Sequence, residues 1–122
     1  MIKGNVYVTF NQEGFLLKKI EYYSTTADRI PFFEWIDDLD QNARLKIYAY
    51  IDRVALGGSL ANVKPVGGGV FEIKINYGPG YRIYFGNKGD KIILLLLGGD
   101  KGTQSKDIRM AKKYWRNVHE ST

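Results

Sequence analysis

Three isolated cations and one carboxylate carry the chemistry that this sequence offers. Glu72 and Lys74 are two residues apart in a predicted strand, so their side chains share one face of a sheet. Arg82 follows the next turn, and Lys101 follows the end of a third strand, where both can reach that face. Guanidinium and ammonium groups are common protein ligands of phosphate. We therefore predict a phosphate-binding surface; the alternative is a solvent-exposed face with weak salt bridges.

Other kinds of chemistry lack the residues that they need. The chain has 122 residues, no cysteine and a single histidine, His119, close to its C-terminus. The glycines at 67–69 are not followed by the lysine and hydroxyl residues of a phosphate-binding P-loop, so a turn is the simpler interpretation. Serine nucleophiles have no histidine to act as a base. We therefore expect neither a metal nor another cofactor, and metal-dependent and nucleophilic enzymes are disfavoured.

Composition and length indicate one globular domain. Hydrophobic residues make up 44% and charged residues 25% of the chain, as in ordinary globular proteins. The N-terminus has no apolar leader, and the longest apolar run, residues 92–97, is far shorter than the roughly 20 residues that span a bilayer. We predict a soluble protein of the cytoplasm, with no membrane partner. Residues 1–15 are expected to form an N-terminal extension of uncertain structure, and residues 16–122 the main domain.

The positive charge is concentrated in the second half of the chain. Residues 1–63 contain 7 Lys and Arg against 8 Asp and Glu, whereas residues 64–122 contain 11 against 5. A basic surface on a small domain favours a polyanionic partner, of which nucleic acid is the commonest. A basic surface that serves only solubility would have the same charge.

The first half of the chain predicts one strand and two helices. Residues 16–23 are rich in strand-forming residues and predict a first core strand. Pro31 fits the first turn of a short helix that ends near Asp40, and a second helix follows at once and stops at the glycines 57–58. Helices joined so closely predict an antiparallel hairpin lying across a sheet. The apolar spacing predicts that the second helix buries Leu45, Tyr48, Ile51, Val54 and Ala55.

The second half predicts an antiparallel meander and a last helix. Three strands, Val70–Ile75, Tyr81–Phe85 and Lys91–Leu97, are separated by glycine-rich turns. The last of them is apolar throughout, as in a central strand that is covered on both faces. A helix over about 105–118 would bury Ile108, Ala111, Trp115 and Val118. The predicted fold is α+β: a helical hairpin packed on an antiparallel sheet of about four strands, with a C-terminal helix.

Longer motifs in this order resemble a known family. The segments concerned are PFFEWIDDL, ARLKIYAYIDRV, VKPVGGGVFEIKINYGPGYRIYF and LLLGGDKGTQSKDIRMAKKYW. Over about residues 18–114 the chain resembles the HigB-like branch of the RelE/ParE superfamily, also labelled phage-derived or addiction-module killer proteins. These are toxins of type II toxin–antitoxin modules. The resemblance implies a RelE-like fold and a cognate antitoxin, often a helix-turn-helix protein encoded adjacently.

The resemblance also implies a metal-independent endoribonuclease. RNase members of the superfamily cut messenger RNA on the ribosome and use lysine and arginine where other RNases use histidine. By this resemblance Lys74 would be a catalytic lysine, Arg82 the phosphate-binding arginine, and Lys101 the counterpart of an arginine after the last strand. The 2′-hydroxyl of the RNA would attack the adjacent phosphorus, with Lys74 or Glu72 as the base. Further contacts with RNA are expected from Lys64, Lys106, Arg109 and Lys112.

Two positions depart from the family pattern. Members such as RelE have a lysine where this chain has Glu72, and a late tyrosine where this chain has Asp107-Ile108. Tyr114 is a turn or more away from that position. Two further functions therefore stay open. One is a ParE-like gyrase poison with the same fold, and the other is a non-catalytic module that binds nucleic acid or an antitoxin.

Overall fold

The computed structural model describes residues 2–7 and 17–120, which form six β-strands and three α-helices. The strands are β1 (Ile2–Tyr7), β2 (Lys19–Tyr23), β3 (Val63–Gly67), β4 (Val70–Ile75), β5 (Tyr81–Lys88) and β6 (Ile92–Asp100). The helices are α1 (Pro31–Ile36), α2 (Gln41–Ala55) and α3 (Gln104–Glu120), and a 3-10 turn at Lys101–Thr103 leads into α3. In this described part of the chain, no helix is long and apolar enough to cross a membrane.

All six strands form one sheet in the order β1-β2-β6-β5-β4-β3. Neighbouring strands are antiparallel except β2 and β6, which run parallel. The α+β class with a C-terminal helix is confirmed, but the sheet has six strands rather than about four and is mixed rather than antiparallel. β1 falls within the predicted N-terminal extension, the rest of which lies outside the described residues. β3 contains Pro65, which is tolerated because β3 is an edge strand.

Helices cover both faces of the sheet. On one face, α1 and α2 pack against the apolar side chains that β2, β4, β5 and β6 direct towards them. On the other face, α3 packs against a second set that includes Val70, Tyr84, Leu94 and Leu96. β6 lies between β2 and β5, and its residues 93–96 are fully buried. The prediction that this apolar strand is central and covered on both faces is therefore confirmed.

The α2 helix begins at a side-chain cap and buries a stripe that differs in part from the prediction. The Asp40 carboxylate accepts a hydrogen bond from the backbone N–H of Ala43 at 2.8 Å. Leu45 was predicted to be buried but is 61% exposed, whereas Ile47 is fully buried. Two residues correspond to about 200° around a helix, so these two side chains point in opposite directions. The residues that α2 buries are Ala43, Ile47, Ile51, Val54 and Ala55.

Glycines let large aromatic rings lie directly on the sheet. A Cβ atom at Gly86 of β5 would be 2.3 Å from the Trp115 ring of α3. On the opposite face, a Cβ atom at Gly98 of β6 would be 2.1 Å from the Trp35 ring of α1. These glycines therefore serve close packing within strands rather than turns. The predicted stripe of α3 is buried as expected, with Ala111, Trp115 and Val118 inside and Ile108 partly covered.

A substitution at Gly86 tests this packing. Gly86→Ala is expected to lower the free energy of unfolding by about 1–3 kcal/mol, because the new methyl group overpacks against the Trp115 ring. Trp115→Phe makes room for this methyl group. The double variant should therefore lose less free energy of unfolding than the two single variants lose together. Gly102→Ala is the control, because among the described residues its Cβ would meet only Asp100 Oδ1, at 3.2 Å. Urea unfolding compares these four variants with the parent, and equal losses of stability for Gly86→Ala and Gly102→Ala would contradict the close contact.

Candidate active site

Strand pairing places the predicted site residues in two neighbouring rows on the face of the sheet that α3 covers. Lys64 of β3 is the Cα partner of Glu72 of β4, which in turn is the partner of Tyr84 of β5. In the next row, Lys74 of β4 is paired with Arg82 of β5. The structure therefore brings together Lys64, Glu72, Lys74 and Arg82, which come from three strands. We call these four residues, three cations arranged around one carboxylate, the cation cluster.

Glu72 is the centre of the cation cluster. The residue is 1% exposed, and its carboxylate binds groups from three different elements. Its Oε1 lies 3.8 Å from Lys64 Nζ and 3.9 Å from Arg82 Nε, and its Oε2 accepts a hydrogen bond from Gln104 Nε2 at 2.8 Å. Both carboxylate oxygens are thus engaged below the surface. The sequence left two roles open for Glu72, a base or a group that orients its neighbours. This geometry favours the orienting role.

Arg82 is held in one orientation by the turn between β4 and β5. Its Nη1 donates hydrogen bonds to the carbonyl oxygens of Gly80 at 2.9 Å and Tyr81 at 3.3 Å. Its Nε faces Glu72 without a hydrogen bond to any described residue. The side chain is 8% exposed, so the positive charge lies just beneath the surface rather than projecting into solvent. The guanidinium is therefore fixed before any ligand arrives.

Two exposed lysines flank a depression beside the buried carboxylate. Lys64 has a side chain that is 64% exposed, and Lys74 is exposed as well. The depression has a volume of about 310 Å³, and Asn62 and Asn76 complete its rim. A phosphate group placed here would meet ammonium groups from two strands. Such cations neutralise the phosphates of a bound nucleic acid.

Lys101 lies at the adjacent turn. The residue is exposed and belongs to the 3-10 turn before α3, which Asp100 caps through a hydrogen bond from the Gly102 N–H at 2.8 Å. A Cβ atom at Gly80 would lie 3.8 Å from Lys101 Cβ and 3.2 Å from Arg82 Nη1. Lys101 and Arg82 therefore flank the same glycine. The structure places Lys101 next to the cation cluster, as the sequence predicted, although it shows no direct bond to it.

The other predicted RNA contacts occupy different surfaces. Lys112 is half-buried over the β3–β4 turn, with its Nζ 3.1 Å from the point where a Gly67 Cβ would stand. Lys106 and Arg109 are exposed on the outer side of α3, away from the buried stripe. Among the described residues, the structure therefore joins only Lys64 of these four directly to the Glu72 carboxylate.

Two residues of the site were missed from the sequence. Tyr84 is fully buried beside Glu72, and its hydroxyl makes no hydrogen bond of normal geometry with a described residue. Burial, together with the negative charge of Glu72, raises the pKa of Tyr84 far above its ordinary value. Its position two residues after Arg82 could have indicated a shared face. Gln104 gave no such signal, because its contact with Glu72 spans 32 residues of sequence.

Asp107 and Tyr114 lie at separate places on α3. Asp107 is 7% exposed, accepts a hydrogen bond from the Thr103 hydroxyl, and packs so closely on Gly99 that a Cβ there would clash with it. Burial is the largest cause that raises the pKa of the Asp107 carboxyl. Tyr114 stacks on Tyr23 of β2 with ring centroids 4.7 Å apart. The structure does not bring Tyr114 to the cation cluster. No group of three or more His, Asp or Glu side chains within residues 2–7 and 17–120 is placed to hold a metal ion.

Comparison with known proteins identifies the family. The family model described as phage derived protein Gp49-like (DUF891) matches residues 34–116, which include Glu72, Lys74, Arg82 and Lys101. An uncharacterized protein of Haemophilus influenzae is 42% identical over 84 residues, which cover 68% of this chain and 84% of that relative. The chain therefore belongs to the Gp49-like family of phage-derived proteins. This family is associated with toxin–antitoxin modules.

The buried position of Glu72 predicts a large effect on stability. Glu72→Ala is expected to lower the free energy of unfolding by about 3 kcal/mol, because it leaves the charge of Arg82 buried without its partner. Glu34→Ala is the matched control, since it breaks another Glu–Arg pair with a shorter distance, 2.7 Å to Arg29, but in an exposed position. That control should lose much less stability, because both of its charged partners are exposed to solvent. Urea unfolding compares the two, and a smaller loss at 72 than at 34 would contradict the buried ion pair.

The raised pKa of Asp107 predicts a pH dependence of stability. Because folding raises the pKa of this carboxyl above its ordinary value of 3.8, the folded state binds its proton more tightly than the unfolded state. The stability of the parent relative to Asp107→Asn should therefore increase as the pH falls from the raised pKa towards 3.8. It should decrease as the pH rises through the same window. Unfolding midpoints of both proteins at several pH values measure this difference. A difference that is flat, or that grows with rising pH, would contradict the shift.

Proposed function

We propose that this protein is the toxin of a type II toxin–antitoxin module and cleaves messenger RNA on the ribosome without a metal. The observation that carries the proposal is the cation cluster around buried Glu72, beside an open depression that Lys64 and Lys74 flank. The family's association with toxin–antitoxin modules supports the toxin part of the proposal. The assignment to the HigB-like branch of the RelE/ParE superfamily rests on the sequence motifs.

The proposed reaction is a transesterification within the RNA. The 2′-oxygen forms a bond to the adjacent phosphorus, while the bond between phosphorus and the 5′-oxygen of the next nucleotide breaks. The products are a 2′,3′-cyclic phosphate and a 5′-hydroxyl. The reaction needs a group that accepts the 2′-proton, cations that stabilise the charge on the phosphoryl oxygens, and a proton for the leaving oxygen.

The geometry supports a separate task for each member of the site. Lys74 is exposed at the depression and is the group placed to exchange a proton with the 2′-hydroxyl. Arg82 lies across from it on β5, where its fixed guanidinium would stabilise charge on the phosphoryl oxygens. Lys101, beside the same turn, would hold the phosphate or assist the leaving oxygen. Glu72 acts through the others as a positioning residue, because its oxygens bind Lys64, Arg82 and Gln104.

The ribosome and an antitoxin are the proposed partners. The depression is only partly enclosed, so it does not by itself fix an RNA strand in the geometry for attack. A ribosome that holds the strand in place would reduce the entropic cost of reaching that geometry. A cognate antitoxin is the partner that a toxin of this kind needs, and the family association supports it.

The exposed Lys74 gives the sharpest test of the proposal. Lys74→Ala is expected to reduce cleavage of translated messenger RNA by roughly 10²- to 10⁴-fold, the usual contribution of a proton-transfer group. Primer extension on a reporter message after induced expression measures new 5′ ends, and growth arrest is the second readout. Lys91→Ala is the matched control, because Lys91 is an exposed lysine that precedes β6, at the opposite end of this strand from Lys101. It should cleave like the parent.

The alternatives predict other outcomes of the same experiment. Discrete new 5′ ends that appear equally with parent and Lys74→Ala would overturn the site assignment. Intact message together with DNA damage would mean a gyrase poison, and intact message without DNA damage or growth arrest would mean a non-catalytic binding module. Either result overturns the endoribonuclease. Arg82→Lys, which retains the charge but not the fork of donors, should also lose cleavage, and its thermal unfolding shows whether the fold is retained.

A further inference from the structure

A second cavity lies on the other side of α3 from the cation cluster. It has a volume of about 410 Å³ and lies between the C-terminal half of α3 and the segment that leaves β2. Its wall includes Tyr23, Thr25, Lys113, Tyr114, Asn117 and Glu120. None of these residues takes part in the reaction proposed above. The cavity is therefore a separate feature that the proposed chemistry leaves unused.

Two stacked tyrosines form a fixed aromatic wall of this cavity. The rings of Tyr23 and Tyr114 are 4.7 Å apart and inclined by 27°. Tyr23 is 3% exposed, and its hydroxyl accepts a hydrogen bond from Asn117 Nδ2 at 3.3 Å. Tyr114 is only half-buried, so its ring remains part of the cavity surface. An aromatic surface held in this way can stack with a planar ligand without first being ordered.

One end of the cavity wall is positively charged. Lys113 is exposed on its wall. Glu34, whose charge acts on Tyr114, is neutralised by two hydrogen bonds from Arg29. Glu120 is the carboxylate on the wall, and it lies two helical turns, about 10 Å, from Lys113. An anionic group would therefore bind at the Lys113 end and keep away from Glu120.

The outer surface of α3 connects this cavity with the cation cluster. The helix has five lysine and arginine residues, and its two acidic residues are Asp107, which is buried, and Glu120, which is its last residue. The exposed Lys106 and Arg109 lie between the two sites along the helix. A single-stranded polyanion that crosses α3 would meet cations along its path, which is the pattern of proteins that bind single-stranded nucleic acid.

We propose that the Tyr23–Tyr114 cavity is a nucleotide subsite for single-stranded RNA. A base stacks against Tyr114, its phosphate lies at Lys113, and the strand continues over α3 towards the depression at Lys74. This inference rests on the proposed function, because it assumes RNA as the substrate, and it adds a second binding subsite outside the reacting centre. Hydroxyl and amide groups from Thr25 and Asn117 would contact the sugar and the base edge.

Binding of a short RNA to the full chain tests the subsite. The chain carries Lys74→Ala, so that cleavage does not consume the probe, which is a labelled single-stranded hexanucleotide of mixed sequence. Tyr114→Leu removes the aromatic surface and is expected to weaken binding by roughly five- to 100-fold, the range for loss of one stacked base. Lys113→Ala should reduce the slope of log K against log salt by about 0.7, the loss of one phosphate contact.

Matched variants separate these effects from changes in folding. Tyr114→Phe retains the ring and its contact with Tyr23, so it should bind RNA more tightly than Tyr114→Leu. Lys91→Ala removes an exposed lysine outside the cavity and should leave the salt slope unchanged. The subsite is overturned if Tyr114→Leu binds RNA as tightly as Tyr114→Phe. It is also overturned if Lys113→Ala and Lys91→Ala have the same slope of log K against log salt. Thermal unfolding of each variant shows whether it is folded.

The result also distinguishes the subsite from the proposed function. If the parent cleaves messenger RNA but neither cavity variant changes RNA binding, the subsite is wrong and the function stands. If RNA binding depends on Tyr114 and Lys113 but Lys74 proves unnecessary for any cleavage, the subsite stands and the endoribonuclease site is wrong. If the chain binds no RNA at any salt concentration, the subsite is wrong. A protein segment bound in the cavity in place of RNA would give that outcome too.

Discussion

The buried carboxylate of Glu72 is the constraint on which the site depends. A charge that is 1% exposed is costly unless cations and hydrogen-bond donors surround it, and here β3, β5 and α3 each supply one. These contacts join the sheet edge to the first residue of α3. The cations consequently have a common counter-charge, so they can lie close together without strong mutual repulsion. A phosphate at the depression would meet a site that is already assembled.

The glycines of the sheet make that assembly compact. Gly86 and Gly98 admit a tryptophan ring on each face, and Gly99 admits the Asp107 carboxyl. Because α3 lies so near the sheet at both of its ends, the amide of Gln104 can reach Glu72. Packing and electrostatics are therefore coupled. The close approach of α3 to the sheet fills the apolar core between them and also brings Gln104 to the buried charge of Glu72.

Periodicity predicted most of the fold, and its errors have physical causes. The meander of β4, β5 and β6 follows from alternation and glycine turns, and the stripe of α3 from its three- and four-residue spacing. Leu45 was predicted to be buried because α2 has apolar residues on two sides, one with Leu45 and the other with Ile47. Only packing against the sheet decided which side is buried. β3 was missed because Pro65 and the glycines after it indicate a turn, whereas an edge position tolerates both.

The sequence by itself determined which residues could share a strand face and where the positive charge lies. Two-residue spacing joined Glu72 to Lys74, and the distribution of charged residues placed the net positive charge after position 63. Only the tertiary structure decided that this face is covered by α3, that Glu72 and Arg82 are buried while Lys64 and Lys74 are exposed, and that Tyr114 faces β2. Alternation specifies a face but not what lies against it, because that contact joins residues far apart in the chain.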